Sequence, residues 1–313
     1  MSGPASWQAR TREPMTTGEP EPELRQAAAP SQVTLTWRHL YKLATERLGS
    51  DVDARRIVER ASGREGPNWL LTLDEPVPTR AVSFFDDMVE RRAAGEPLQY
   101  VLRRWGFRTL ELLVDRRVLI PRPETEVVVE VAIRELRRVD SQRPLVADLG
   151  TGSGAIALSI AVEVPSARVW ATDASEDALV VARANLAGIG SPAAVRVRMV
   201  RGRWFDALPG AFRGQVDLVV SNPPYIATDE VLPAEVADWE PHSALVAGPA
   251  GTEAIAAVVA GAPPWLAPEG AAVVEIAPHQ AEQAMALARN AGFGEVEVRP
   301  DLNGRARVLV ARR

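Results

Sequence analysis

Three short segments carry residue types suited to group-transfer chemistry. The first is the glycine-rich sequence DLGTGSG at residues 148–154, which follows an apolar run and precedes a helical pattern. The second is Asp173, at the end of the next apolar run, and the third is SNPPY at residues 221–225, after a later run. Parallel strands that alternate with helices bring their carboxyl ends to one edge of a sheet, where such folds bind ligands. We therefore expect the three segments to meet in one site.

The glycine-rich segment and Asp173 are typical of a cofactor site. Glycines let the backbone approach a ligand closely, and the following helix presents free N–H groups. The spacing is Gly-x-Gly-x-Gly, whereas dinucleotide enzymes favour Gly-x-Gly-x-x-Gly, and no nicotinamide or flavin signature accompanies it. A carboxylate at position 173 can accept hydrogen bonds from both hydroxyls of a ribose. These features favour S-adenosylmethionine; the alternative is a tight strand-to-helix turn in which Asp173 caps the next helix.

The segment at 221–225 has groups that can hold a planar NH2 group. Prolines have no N–H, so the carbonyl oxygens of this rigid segment stay available, and the Asn222 side-chain oxygen is a second acceptor. An amide nitrogen is a poor nucleophile because its lone pair is delocalised. Orienting it can supply up to ~7–11 kcal/mol, and Tyr225 is expected to pack against the flat amide or base. The alternative is a proline-rich strand terminator. The predicted catalytic and substrate-binding residues are Asn222, Pro223, Pro224 and Tyr225.

The elements that position these segments follow from the spacing of apolar residues. From residue 124 onward, apolar strands alternate with helices, which predicts an α/β fold with a parallel sheet covered on both faces and an antiparallel hairpin, 296–298 with 307–310, at its edge. Upstream, helices are predicted at 34–48, at 51–61 with Asp51 as cap, and at 79–94. The predicted organisation is a disordered tail (1–32), a helical domain (33–104), a β-hairpin linker (105–122) and an α/β domain (123–313).

Composition excludes several other classes of protein. The 313 residues hold 36 Lys and Arg against 41 Asp and Glu, a net charge of -5, so no basic excess is available for gripping phosphates. The lack of cysteine excludes disulfides, thiolate zinc sites and cysteine nucleophiles, and 3 histidines do not suggest a metal centre. No window approaches the ~20 apolar residues of a membrane span. The prediction is a cytoplasmic monomer with no metal, no membrane attachment and no direct nucleic-acid partner.

Several further blocks extend the pattern along the chain. They are GEPLQY at 95–100, VLIPRPETE at 118–126, DLGTGSGAIAL at 148–158, SNPPYI at 221–226, EPHSAL at 240–245, and an ending with Asp301, Gly304 and Arg307. Through these blocks, from about Gly95 to the C-terminus, the sequence resembles the peptide chain release factor N5-glutamine methyltransferases. The Asn-Pro-Pro-Tyr block is shared with adenine N6-methyltransferases, whereas IPRPETE together with EPHSAL is far more specific to the family.

The resemblance implies a class I methyltransferase (Rossmann-like) domain with a seven-stranded, mostly parallel sheet. It also implies a helical N-terminal domain that helps to hold the substrate, a peptide chain release factor. The implied reaction uses S-adenosylmethionine to methylate the glutamine amide of the Gly-Gly-Gln motif, with that glutamine held at 222–225. The implied cofactor contacts are Gly150, Thr151, Gly152, Ser153, Gly154, Asp173, Trp204 and Asn222.

Two positions depart from the family pattern. Arg203 stands where the family usually has an aspartate before the tryptophan, and Ala277 stands where it has the glycine of a Leu-Glu-Ile-Gly strand end. Trp204 can still stack on the adenine, but the Arg203 side chain has no acceptor for the adenine amino group. The resemblance therefore leaves the partner of that amino group open.

Two alternative functions remain open at this point. One is a methyltransferase that acts on another protein glutamine or on adenine N6 in nucleic acid; the acidic composition counts against DNA. The other is a cofactor-binding module that has no activity and serves assembly. The intact Asn-Pro-Pro-Tyr segment counts against an inactive module.

Overall fold

Five helices form the first part of the chain in the computed structural model, which describes residues 34–313. Their bounds are α1 Trp37–Leu48, α2 Asp51–Ser62, α3 Asn68–Thr72, α4 Thr79–Ala93 and α5 Leu98–Leu102. They share a core that includes Trp37, Ile57 and Met88, all nearly fully buried. The predicted tail at 1–32 lies outside the described residues, and α3 and α5 are helices that the spacing of apolar residues did not predict.

The start of α2 corrects one prediction. The cap of this helix is Ser50, whose Oγ accepts a hydrogen bond from the Asp53 N–H at 3.2 Å, whereas Asp51 is the first helical residue. A serine hydroxyl in this position satisfies one of the free N–H groups of the first turn. Asp51 stays in the first turn, where a negative charge is favourable.

The predicted hairpin is shorter than expected. It consists of β1 Trp105–Phe107 and β2 Leu110–Leu112, which pair antiparallel. The apolar run from Val118 to Ile120, expected to be strand-like, is irregular, because side chains take up its backbone groups. The Tyr100 hydroxyl donates to the Val118 carbonyl at 2.5 Å, and the Ile120 N–H donates to Glu240 Oε2 at 3.1 Å.

The rest of the chain forms a seven-stranded sheet with the predicted alternation of strands and helices. The elements are α6 Pro123–Arg138, β3 Leu145–Leu149, α7 Ala155–Glu163, β4 Arg168–Asp173, α8 Glu176–Gly188, α9 Ser191–Ala194, β5 Val197–Arg201, β6 Val216–Ser221, β7 Ile226–Ala227, α10 Ala234–Ala237, α11 His242–Leu245, β8 Val246–Gly248, α12 Glu253–Gly261, β9 Leu266–Glu275, α13 Ala281–Asn290, β10 Glu295–Pro300 and β11 Ala306–Arg312. The order of strands in the seven-stranded sheet is β10-β11-β9-β6-β3-β4-β5. β11 runs antiparallel to both of its neighbours, and the other neighbouring pairs are parallel. β7 and β8 pair with each other outside this sheet.

Apolar side chains fill both faces of the sheet. Successive residues of β3 point to opposite sides: Val146 packs with residues of α6, α7 and α8, and Ala147 packs with residues of α12 and α13. The hairpin belongs to the first of these two clusters through Phe107 and Leu112. None of the described helices is long and apolar enough to cross a membrane.

The sheet order places the three predicted segments side by side. β6, β3 and β4 are neighbours and parallel, so their carboxyl ends lie at the same edge. The glycine-rich turn follows β3, Asp173 ends β4, and residues 222–225 follow β6. The fold therefore builds the predicted site from three adjacent strand ends.

Candidate active site

The turn after β3 needs its glycines. Gly150, Gly152 and Gly154 have φ values of 75°, 55° and 85°, in the left-handed region that other residues rarely adopt. The N–H groups of Gly150 and Thr151 donate to the Thr172 carbonyl of β4 at 2.8 and 2.9 Å. The turn is thereby fixed to the neighbouring strand before any ligand binds.

Two buried polar side chains support this turn. Asp148 is fully buried, and its Oδ2 accepts hydrogen bonds from the Thr151 hydroxyl at 2.6 Å and the Ala157 N–H at 3.1 Å. Burial raises the pKa of Asp148 to about 7. Asn185 of α8 donates to the Ser153 carbonyl at 2.9 Å and to the Leu113 carbonyl at 3.0 Å. These contacts fix the glycine-rich turn on its buried side and join it to the segment that follows the hairpin.

Asp173 faces the turn from the end of β4. Its Oδ2 accepts from the Gly152 N–H at 2.9 Å and its Oδ1 from the Ser175 N–H at 2.8 Å. Burial raises the pKa of this carboxyl group, and these backbone hydrogen bonds oppose the shift. The cap of α8 is Ser175, whose Oγ accepts from the Ala178 N–H at 3.2 Å. Each oxygen of Asp173 keeps lone-pair capacity for a further donor.

Asn222 and its neighbours follow β6, the strand beside β3, which carries the glycine-rich turn. The Asn222 Nδ2 group donates to the Thr125 hydroxyl at 3.2 Å, which leaves Oδ1 as the other end of the amide. Burial raises the pKa of Tyr225 to about 12, so its hydroxyl is neutral at physiological pH. The Tyr225 carbonyl accepts from the Gln280 side chain at 2.9 Å. The segment after β6 is thus held at both ends.

A cavity of about 420 Å³ connects these groups. Its walls include eight of the predicted site residues: Gly150, Thr151, Gly152, Ser153, Asp173, Trp204, Asn222 and Pro224. Tyr225 instead lines a smaller cavity of about 180 Å³, which shares Asn222 with the larger one. Gly154 serves as the cap residue of α7, and Pro223 is buried at the end of β6. Eight of the predicted site residues therefore share one cavity, Tyr225 lines the neighbouring one, and Gly154 and Pro223 line neither.

Trp204 is held in an unusual backbone conformation on this cavity. Its φ of 48° is rare for a bulky residue, and the Thr172 hydroxyl fixes it by donating to the Trp204 carbonyl at 2.9 Å. A Cβ atom added at Gly150 would lie 3.6 Å from the indole ring. The indole Nε1 is buried without a hydrogen-bond partner among the described residues. Strain of this kind is typical of ligand sites.

The residues on the cavity fit S-adenosylmethionine. A volume of about 420 Å³ is in the range of small-ligand pockets. Asp173 offers two carboxylate oxygens for a ribose diol, and Trp204 offers a flat surface for a purine ring. The glycine-rich turn has room above Gly152, where an added Cβ would meet nothing within 4 Å. Arg203 lines the same cavity beside Trp204.

Glu240 connects two sequence blocks that are far apart in the chain. It is nearly fully buried, accepts from the Ile120 N–H at 3.1 Å and pairs with the Arg122 guanidinium. Pro123 then starts α6, and Pro241 and Ser243 line the larger cavity. The IPRPETE and EPHSAL blocks are thus joined through Glu240, and both contribute residues to the lining of the larger cavity.

Sequence reasoning missed two polar residues next to Asn222. Thr125, on the first turn of α6, is buried and lines the larger cavity; its hydroxyl donates to Glu275 Oε2 at 2.7 Å. Glu275 is fully buried at the end of β9, and burial raises its pKa to about 7. One signal could have revealed it, because a glutamate interrupts the apolar run AAVVEIA at residues 271–277.

Comparisons with known proteins agree with this architecture. A family model described as "Methyltransferase small domain" matches residues 130–238, and one described as "PrmC N-terminal domain" matches residues 40–102. The "Release factor glutamine methyltransferase" of Xylella fastidiosa strain Temecula1 is 42% identical over 275 residues, which are 87% of this chain and 96% of the relative. A relative of the same name from Deinococcus radiodurans is 40% identical over 283 residues, which are 88% of this chain and 98% of the relative.

A solved structure confirms the fold class. The catalytic domain of hMettl16 superimposes with a TM-score of 0.52 at 16% identity, covering 72% of this chain and 81% of that chain. At this identity the likeness concerns the fold alone. Together with the sheet order, it confirms the predicted class I methyltransferase fold, with its mostly parallel seven-stranded sheet and antiparallel terminal hairpin.

Proposed function

The chain belongs to the family of release factor glutamine methyltransferases, and we propose that it methylates the side-chain amide nitrogen of a glutamine in a peptide chain release factor, in the Gly-Gly-Gln motif. The observation that carries the proposal is the orientation of Asn222. Its Nδ2 group is taken by Thr125, so Oδ1 is the end left to accept an N–H of a substrate amide. This acceptor lines the same cavity as Asp173 and the glycine-rich turn.

The reaction needs orientation more than it needs a strong base. S-adenosylmethionine supplies an electrophilic methyl group on a positively charged sulfur, which becomes neutral when the methyl group leaves. The chain's own residues hold the reactants: Asp173 and the turn at 150–154 bind the cofactor, and Asn222 with the proline carbonyls aligns the substrate nitrogen. With the cofactor bound, the amide nitrogen would accept the methyl group from sulfur and would release one of its two protons. Alignment of this kind can supply up to ~7–11 kcal/mol.

The helical part of the chain supports a role in holding the substrate. Several large apolar side chains are exposed on it, among them Leu70 (58%), Leu71 (77%) and Phe84 (45%). Arg92 of α4 joins this part to α10, which follows the Asn-Pro-Pro-Tyr segment, by donating to Glu235 at 2.8 Å. It also donates to Asp53 of α2 at 2.6 Å. We therefore assign release factor binding to the predicted domain at 33–104, which contacts α10 through Arg92.

A mass measurement tests the proposed reaction. Release factor is incubated with the protein and S-adenosylmethionine, and the peptide containing Gly-Gly-Gln is expected to gain the mass of one methyl substitution on its glutamine. A release factor with alanine in place of that glutamine is the matched negative control. An unmodified glutamine, or equal methylation of adenine-containing DNA in a parallel reaction, would contradict the proposal.

The Asp173→Asn variant tests the cofactor site. A carboxamide is neutral and has one acceptor oxygen where the carboxylate has two, so both ribose hydroxyls lose a charged partner and one of them loses its acceptor. We expect S-adenosylmethionine to bind about tenfold more weakly, which corresponds to about 1.4 kcal/mol. Calorimetric titration measures this affinity. Asp177→Asn, at an exposed position in the first turn of α8, is the matched control and is expected to bind normally. Equal affinities for the two variants would remove Asp173 from the cofactor site.

A further inference from the structure

A buried chain of hydrogen bonds lies behind Asn222. The Asn222 Nδ2 group donates to the Thr125 hydroxyl at 3.2 Å, and that hydroxyl donates to Glu275 Oε2 at 2.7 Å. Thr125 is 3% exposed and Glu275 is fully buried. The three residues come from three separate elements: the loop after β6, the first turn of α6 and the end of β9.

The chemistry of the three side chains fixes the donor and the acceptor in each of these hydrogen bonds. A carboxylate can only accept hydrogen bonds, so the single proton of the Thr125 hydroxyl goes to Glu275. The hydroxyl then offers Asn222 only a lone pair, and the NH2 end of the Asn222 amide must turn toward it. An asparagine amide otherwise exchanges its oxygen and NH2 ends by a half-turn with little change in shape. In the reversed orientation, the NH2 end of the Asn222 amide would point at the substrate NH2 group, and two donors would face each other.

Stability alone does not explain Glu275. Its Oε1 has no partner within hydrogen-bond geometry among residues 34–313, and the nearby Tyr225 hydroxyl and Arg307 charge do not offset the burial of the carboxylate. A buried, incompletely satisfied acid is costly to the folded state. The neighbouring residues of β9, such as Val273 and Val274, are fully buried and apolar. An acid that interrupts such a strand, directly behind an active-site asparagine, indicates a role in the site.

We propose that Thr125 and Glu275 are positioning residues that keep the oxygen of the Asn222 amide turned toward the substrate as long as Glu275 is a carboxylate. The inference rests on the proposed function, because it concerns the orientation of the same substrate nitrogen. When Glu275 is protonated, its O–H can donate to Thr125, and the Thr125 proton becomes free to donate to Asn222 Oδ1. Both orientations of the Asn222 amide are then satisfied, and only one of them is productive.

The groups around Glu275 allow this change near neutral pH. Burial raises the pKa of Glu275 to about 7, and the nearby negative charge of Glu124 acts in the same direction. The Thr125 hydrogen bond, the charge of Arg307 on β11 and the Tyr225 hydroxyl oppose the shift. Tyr225 has a pKa raised to about 12, and Glu124 is paired with Arg305 at 3.1 Å.

The Thr125→Val variant is the first test. Valine keeps the shape of threonine and removes the hydroxyl, so the Asn222 amide loses the group that orients it. We expect kcat to fall about fivefold to tenfold, the effect of losing about one hydrogen bond, with the KM for release factor within about twofold. Thr125→Ser restores the hydroxyl and is expected to recover most of the lost turnover.

A matched control separates orientation from general damage to the core. Thr252 is also buried, and its hydroxyl also accepts from a side-chain amide, that of Gln283 at 3.1 Å, but it does not line the larger cavity. Thr252→Val is therefore expected to keep normal kcat. The positioning role is wrong if Thr125→Val and Thr252→Val have equal kcat, or if Thr125→Ser is as impaired as Thr125→Val.

The pH profile is the second test. Below pH 7 the wild-type chain gains the proton on Glu275, so kcat is expected to fall as the pH is lowered from about 8 to about 6, with a midpoint near the pKa of about 7. Asp148, under the cofactor turn, also has a pKa raised to about 7, so kcat is measured with saturating S-adenosylmethionine at every pH. Glu275→Gln cannot titrate, and under these conditions we expect a lower kcat that no longer varies over this range. An acid limb that persists in Glu275→Gln would overturn the role of Glu275. Failure of the proposed function looks different, since the wild-type chain itself would then leave release factor unmodified at every pH.

Discussion

The Asn222→Ala variant is expected to methylate release factor about a hundredfold more slowly than the wild-type chain, because small losses of alignment at a reacting centre have effects of this size. Alanine removes the side-chain oxygen that aligns the substrate amide, and it leaves the backbone carbonyls of the two prolines in place. Single-turnover kinetics with saturating S-adenosylmethionine measure the rate of methyl transfer directly, free of product release.

The fold of this variant is expected to survive. Asn222 is half-buried and makes one side-chain hydrogen bond within the described residues, to Thr125. Asn290→Ala, at the exposed end of α13, removes a similar side chain far along the chain and serves as the control for rate and melting temperature. Turnover of Asn222→Ala within about threefold of this control would exclude Asn222 as the group that orients the amide.

The cofactor half of the site could be predicted because its signals are local. Each glycine of the turn at 150–154 adopts a conformation that glycine favours, and Asp173 ends a strand that its apolar run already marks. Strand alternation also predicted the sheet, since neighbouring parallel strands place their ends together. The positions of Asp173 and Asn222 at or just after the ends of parallel strands were sufficient to predict that both residues lie at the same site.

The contacts of the supporting residues could not be predicted because the two partners are distant in the sequence. Thr125 and Glu275 are separated by 150 positions, and Asn185 and Leu113 by 72. Packing of α6 against the sheet creates the first contact, and no pattern of spacing encodes it. The irregular segment at 118–120 was misread for the same reason: its apolar residues resemble a strand, but its backbone groups bond to the side chains of Tyr100 and Glu240.

Short elements were also beyond the reach of periodicity. Helices α3 and α5 have five residues each, and α10 and α11 have four. Such lengths cover little more than one helical turn, too few residues for a 3.6-residue repeat to emerge. The pairing of β7 with β8 is equally short, yet it positions Val246 and Ala247 on the cavity wall.

The structure changes where the domains are best separated in an experiment. A cut near Arg117, within the predicted linker (105–122), would remove Phe107 and Leu112, which are buried in the same cluster as residues of α6 and α7. A chain that begins at Pro97 keeps this hairpin. It also keeps Tyr100, whose hydroxyl donates to the Val118 carbonyl at 2.5 Å.

A chain that begins at Pro97 is expected to bind S-adenosylmethionine normally and to methylate release factor at least about a hundredfold less efficiently, equivalent to about 3 kcal/mol of lost binding. A single side-chain amide offers too little contact to select one glutamine among all those in a cell, so selection must come from surface remote from the reacting atoms. Calorimetry of cofactor binding shows whether the shortened chain is folded. kcat/KM on intact release factor then gives the loss.

The same role can be tested without removing any part of the chain. Leu70 and Leu71 are 58% and 77% exposed, so replacing both with serine leaves the helical core intact while removing apolar surface. The double variant is expected to raise the KM for release factor about tenfold with little change in kcat. Leu302→Ser, at a position 94% exposed in the loop between β10 and β11, is the matched control. Full activity of both the shortened chain and the double variant would mean that the methyltransferase domain recognises its substrate alone.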